Sequence, residues 1–165
     1  MLSTHETKVF LTSMWKRVWL IMTSCRVANF ADLQRLKIFL EEQGLTVEGV
    51  DDWIRNFLIM EDQSGNWIGV AGYELYGESC LLRSVGVGRE FRRKGFGKQI
   101  VDQVLRNARS KGALSSYLLT GNAVGFFSKM GFETIKRDEV ESVSASKEFR
   151  MSECECAIVM RKIMR

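Results

Sequence analysis

Leu81-Leu82-Arg83-Ser84-Val85-Gly86-Val87-Gly88-Arg89-Glu90-Phe91-Arg92-Arg93-Lys94-Gly95-Phe96-Gly97-Lys98 reads as a strand running into a basic turn that opens onto a helix. From Phe96 the apolar positions Ile100, Val101, Val104, Leu105 and Ala108 follow helical spacing, and Gly112 is a natural stop. The first N–H groups of a helix have no internal partner and sit at the positive end of its dipole. Glycine lets backbone approach a ligand closely, and arginine and lysine add charge for phosphate. Together these features describe a cradle for a diphosphate. The plainer alternative is a solvated basic helix start, against which stand the strand before, the amphipathic helix after and the concentration of charge. Other phosphate loops are excluded by spacing. Lys98 is followed by Gln99 rather than Ser or Thr, and no third glycine follows Gly97 at the dinucleotide offset.

The surrounding charge agrees. Between Arg83 and Lys111 lie nine basic and two acidic residues, a balance of +7 in a chain whose net charge is +4. An anionic ligand is expected to meet the middle of the chain. At 165 residues, with 45% hydrophobic and 27% charged, the chain is one globular domain of ordinary composition, which excludes a disordered or collagen-like protein. The longest apolar run, Val18 to Met22, is too short to span a membrane or to form a signal-peptide core. Four cysteines do not make a disulfide scaffold, so a cytoplasmic setting is expected. Residues 1–21 read either as an N-terminal extension or as a packed first strand, with the domain proper over 22–165.

Working outward, Asn29 is placed to cap a helix carrying Leu33, Leu36 and Leu40, which ends near Gly44. A short helix is expected over 47–56. Strands are expected over 57–61, 67–75 and 80–87 as a meander, then over 116–120, 133–136 and 157–163. The helix between the strands at 80–87 and 116–120 makes them parallel neighbours with a right-handed crossover. A further short helix carries Ala123, Phe126, Phe127 and Met130, and the spacing over 138–148 predicts another.

Arg92-Arg93-Lys94-Gly95-Phe96-Gly97 resembles the Arg/Gln-x-x-Gly-x-Gly/Ala signature of the GNAT N-acetyltransferases, and Asn122 to Phe132 resembles their later helix closing in Gly-Phe. The likeness covers roughly residues 25–162. It implies an α/β (α+β) fold: a mixed, mostly antiparallel sheet with one splayed parallel pair and flanking helices. It implies acetyl-CoA as co-substrate, with a β-bulge before the loop, for which Gly86 is a suitable position. It carries cofactor roles onto Val85, Gly86, Val87, Arg92, Arg93, Gly95, Gly97 and Lys98, and an oxyanion-binding role onto the backbone N–H of Val87. A narrower likeness, on residues 81–85, 117–120, Phe126-Phe127 and 147–149, is to arsinothricin- and phosphinothricin-type N-acetyltransferases. That group's Leu-Cys-Pro-x-Ser-Ala stretch is replaced here by Ser152-Glu153-Cys154-Glu155-Cys156-Ala157.

The implied chemistry is direct attack of a small-molecule primary amine, an amino acid or its analogue, on the thioester. Glu74 is a candidate base acting through water, or else a surface carboxylate. Arg83 with Ser84 is a candidate grip on a substrate carboxylate, or else Arg83 is a surface cation on an alternating strand. The tyrosine that many family members use as leaving-group acid is replaced by Phe127, and an asparagine earlier in the motif by Thr120. Tyr73, Tyr76, Tyr117, water or unassisted departure remain open for that role. Cys154-x-Cys156 alone is not a metal site, and no metal is expected. The alternatives to a small-molecule enzyme are a protein N-acetyltransferase, a non-catalytic acyl-CoA-binding module, and a nucleic-acid-binding domain using the basic segment. No nucleic-acid or membrane partner is expected. Homodimers are common in the family, but no residue argues for one.

Overall fold

The computed structural model describes residues 23–140, 142–151 and 157–164. The extension expected over 1–21 and the Cys154-x-Cys156 pair lie outside the described residues. A seven-stranded sheet runs in the order β1-β2-β3-β4-β5-β7-β6. Its strands are β1 Thr23–Val27, β2 Leu58–Asp62, β3 Trp67–Tyr76, β4 Ser79–Val87, β5 Ser115–Thr120, β6 Glu133–Ile135 and β7 Ile158–Ile163. The helices are α1 Leu33–Glu42, α2 Val50–Trp53, α3 Phe96–Ser110, α4 Val124–Ser128 and α5 Lys147–Met151. This is the mixed sheet the resemblance implied. Every strand pair is antiparallel except β4 with β5. None of the helices is long and apolar enough to cross a membrane among the described residues.

Each face of the sheet buries its own side chains. On one, Tyr73, Leu82, Leu118 and Met160 pack against Phe96, Ile100, Val101 and Val104 of α3. The other carries two separate apolar clusters. Ile59, Val70 and Phe57 meet Leu36 and Leu40 of α1, while Leu81, Tyr117 and Val159 meet Val140, Val143 and Phe149. Asn29 caps the 3-10 turn that leads into α1, its side chain accepting from the Ala31 N–H at 2.8 Å. Gly72 lies against Phe57, where an added Cβ would sit 2.7 Å from the ring. Phe57 is fully buried and has nowhere to go. Gly72→Ala is therefore expected to destabilise by about 1–3 kcal/mol, read as a lower urea midpoint at unchanged slope.

Two expectations need correction, and one strand was not expected. The helix predicted over 138–148 is confined to α5, preceded by a 3-10 turn at Arg137–Glu139 and by turns. Val140, Val143, Ser146 and Phe149 are all buried at three-residue spacing, which imitates a helical face. Val140 is nevertheless extended, and Ser142, Ser144 and Ser146 favour turns over helix. The bulge in β4 is not at Gly86. Val70 pairs with Gly86 and Gly72 with Arg83, so Ser84 and Val85 together oppose Ala71, and Ser84 takes φ +54°. Gly86 keeps regular pairing and serves close packing instead, since a Cβ there would meet Leu45 at 3.2 Å. Strand β1 carried no clear sequence signal, because Thr-Ser-Cys-Arg-Val at a sheet edge lacks apolar alternation.

Candidate active site

Pairing between β4 and β5 is limited to Ser79–Leu81 with Ser115–Tyr117. Beyond Leu81 the strands part, and the bulge at Ser84–Val85 follows immediately. The chain then passes through a 3-10 turn at Arg89–Phe91 into α3. Two residues set this turn, Arg93 with φ +60° and Gly95 with φ +91°. A Cβ at Gly95 would meet nothing within 4 Å, so the start of α3 is open on that side. Arg89, Arg92, Arg93, Lys94 and Lys98 are exposed around it. Arg92 braces the loop by donating to the Val87 carbonyl at 3.0 Å and to Gln43 at 2.8 Å. Lys98 pairs with Asp102 at 2.7 Å one turn on. Gly97 faces Phe126 of α4, 3.5 Å from a Cβ built there. The sequence-expected loop residues Arg92, Arg93, Gly95, Gly97 and Lys98 thus come together at one helix N-terminus, with Val85, Gly86 and Val87 leading into it along the diverging strand. An open helix start, basic side chains and the parted strands fit the elongated diphosphate thioester that the sequence implied.

Between the two apolar clusters on the opposite face lies a buried charged group. Arg83 is 2% exposed and Glu74 1% exposed, so neither is the surface ion that the sequence left open. The guanidinium pairs with the Glu74 carboxylate and donates to the Glu48 carbonyl. Its Nε donates to Ser84 Oγ at 3.3 Å and lies 2.9 Å from Glu148 Oε2. Glu74 also accepts from the Tyr76 hydroxyl at 2.6 Å. Gly49, at φ +73°, makes room for Arg83, whose NH1 lies 3.2 Å from where a Cβ would be. The fork of Arg83 is therefore occupied by the protein's own groups rather than held open for a ligand. Sequence reasoning gave Glu148 no role; it lies two residues after the buried Ser146, and residues 147–149 entered only through the narrower likeness.

A cleft of about 210 Å³ lies above this group, lined by Asp52, Trp53, Glu74, Tyr76, Lys147 and Arg150 among others. Lys147 pairs with Asp52 across it at 3.1 Å, while Arg150 is exposed and makes no ion pair among the described residues. Burial, with the hydrogen bond to Glu74 second, pushes the Tyr76 phenol up to about 12. Burial likewise raises the Glu148 carboxyl, Arg83 opposing the rise and Glu74 adding to it.

The three tyrosines lie at different distances from the parted strands. Tyr73 faces α3 and donates to Asn107 at 2.7 Å. Asn107 is eleven residues into a helix that rises about 1.5 Å per residue, far from its N-terminus. Tyr76 is at the end of β3, and Tyr117 belongs to the last closed pair. Phe127 is buried in the core, and Thr120 Oγ1 accepts from the Ala123 N–H at 3.0 Å, starting α4. No group of three or more metal-ligating side chains occurs among the described residues.

Residues 53–134 match the family described as Acetyltransferase (GNAT) domain. An uncharacterized N-acetyltransferase of Chlorobaculum tepidum is 28% identical over 120 residues, covering 70% of this chain and 76% of that protein. The amino-acid acetyltransferase of Neisseria meningitidis is 25% identical over 151 residues, covering 86% of this chain. The chain spans 34% of that relative's length. In fold, the chain is similar to N-acetylglutamate synthase from Neisseria gonorrhoeae, crystallised with coenzyme A and N-acetyl-glutamate. The TM-score is 0.75 at 22% identity, over 87% of this chain and 35% of that one.

Proposed function

Because this chain belongs to the GNAT acetyltransferase family, for which acetyl-CoA is the co-substrate, we propose that it acetylates the primary amine of an amino acid or close analogue. The observation that carries the reading is the parting of β4 from β5 beside an open, basic helix start. In this reading Arg92, Arg93, Lys98 and the first amides of α3 hold the diphosphate, with Gly95 and Gly97 allowing its approach. Val85, Gly86 and Val87 line the arm that carries the thioester, and the Val87 N–H receives the oxyanion. Bound there, acetyl-CoA supplies an activated acetyl group. The protein supplies position, which can be worth about 7–11 kcal/mol of barrier. The setting proposed is the cytoplasm, and the domain proposed is residues 22–165.

The acceptor enters from the cleft over Glu74 and Tyr76. Two cations at its rim, Lys147 and Arg150, favour an amine that carries a carboxylate. Arg150, rather than the internally paired Arg83, is the residue assigned to receive it. The test is a thiol-release screen with acetyl-CoA against amino acids, polyamines, aminoglycosides and peptides. Turnover is expected on amino acids, with Arg150→Ala raising KM about 10-fold or more at similar kcat, as for a lost charged hydrogen bond. Equal use of amines lacking a carboxylate overturns the substrate assignment.

One observation favours a second reading, an acyl-CoA-binding module without turnover: Phe127, standing where many family members carry the acid tyrosine, is buried and cannot donate. That reading predicts stabilisation by acetyl-CoA with no thiol release on any amine.

A further inference from the structure

We propose that Glu148 is the group that takes the proton from the acceptor's ammonium. The inference rests on the acetyltransferase reading above and names the residue that makes the amine nucleophilic.

Position is the first argument. Phe149 packs with Leu81 and Tyr117, the last closed pair of β4 and β5. Its neighbour Glu148 reaches Arg83, two residues farther along β4 and directly before the bulge. Glu148 therefore stands at the level where the strands have parted, in sequence between Lys147 and Arg150 of the cleft lining.

The second argument is which carboxylate has capacity. Both oxygens of Glu74 are committed, one to Arg83 and the other to the Tyr76 hydroxyl. Glu148 Oε2 lies within ion-pair distance of Arg83 Nε, but Nε donates to Ser84 Oγ. Oε2 is buried and accepts no hydrogen bond. A buried carboxylate oxygen that faces its cation at 2.9 Å without a hydrogen bond is incompletely satisfied, and it marks a site where a proton or a ligand N–H is accepted.

Charge is the third. The buried group holds one guanidinium and two carboxylates, so one carboxylate is surplus. Arg83 faces Glu148 from β4, with Glu74 and Tyr76 beyond it on β3. Lys147 and Arg150 flank Glu148 on α5, and Arg137 of the preceding turn holds the Phe149 carbonyl. Burial and Glu74 favour the neutral form of Glu148 against Arg83. Its side chain keeps 19% exposure, against 2% for Glu74, so a captured proton has a route to water.

The step balances. One ammonium proton passes to the Glu148 carboxylate, which becomes the neutral acid. The freed pair on nitrogen forms the C–N bond, and the C–S bonding pair leaves on sulfur. The second amine proton goes to that thiolate, giving the thiol, and Glu148 returns its proton to water. No tyrosine is required.

The experiment compares wild type with Glu148→Gln on the fastest amine of the screen, from pH 5 to 10, alongside melting with acetyl-CoA. Wild-type kcat/KM is expected to level off above the titration of Glu148. Glu148→Gln is expected to lose about 100-fold or more at neutral pH. Its rate should climb tenfold per pH unit up to the amine's own pKa, as for spontaneous deprotonation, with the acetyl-CoA melting shift intact. If Glu148→Gln does not fold, Glu148→Asp decides, a retained plateau at lower kcat supporting the role. A Gln profile that parallels wild type within threefold overturns it, as does an Asp variant without a plateau. Absence of turnover by wild type on every amine overturns the acetyltransferase reading beneath it.

Discussion

Arg83→Ala is expected to destabilise the protein by about 3–5 kcal/mol, because it removes the one cation that faces both Glu74 and Glu148 in the interior. At about 2–4 °C per kcal/mol for a domain of this size, the melting temperature should fall by roughly 6–20 °C. Arg83→Lys should recover only part of the loss. It restores the charge but not the planar fork that serves Glu74, Glu48 and Ser84 at once. Neutralising the carboxylates as well, in Arg83→Met/Glu74→Gln/Glu148→Gln, should return most of the stability without restoring turnover at neutral pH. Thermal and urea melts of the three variants measure this. A loss below about 1 kcal/mol for Arg83→Ala is the value of an exposed pair, and would mean that Arg83 is not buried as described.

Gly97→Glu is expected to abolish binding of acetyl-CoA without unfolding the chain. A side chain at residue 97 meets Phe126 at ordinary contact distance, and the backbone there is not left-handed, so the fold tolerates it. The carboxylate sits among the first amides of α3, where it occupies the positive helix end and repels a diphosphate. Wild type at 100 times Kd should gain about 2.7 kcal/mol from the ligand, a melting shift of roughly 5–11 °C. The variant should show none. A full shift in Gly97→Glu sinks the assignment of this loop to the diphosphate, whatever the activity screen returns.

The loop and the sheet class were legible because both rest on local signals. Glycine at fixed offsets, a helical stripe from Phe96 and strand-length apolar runs are each written in consecutive residues. The bulge was legible in its neighbourhood but not in its residue. Glycine marked Gly86 as the permissive position, yet Arg83, pinned by Glu74 and Glu48, fixes the register one step earlier and forces Ser84 left-handed. The polar group over the sheet was legible only in halves. Glu74 and Arg83 are nine residues apart on paired strands and could be named. Glu148 arrives from a segment 65 residues beyond Arg83, and no periodicity announces such a meeting. The same segment misled in the other direction, since buried valines at three-residue spacing mark a face without specifying a helix.

Among the described residues, three residue pairs, Ser79–Leu81 with Ser115–Tyr117, make up the whole ladder between the four-strand half of the sheet and the three-strand half. The seam is short because the ladder is surrendered to make an opening, and what it forfeits in backbone pairing an occupant of the wedge can restore. On the reading proposed above, a thioester arm lying along both lips would stand in for the missing ladder. On that reading, cohesion of the two halves would track occupancy, and the line of fewest backbone bonds would run beside the thioester.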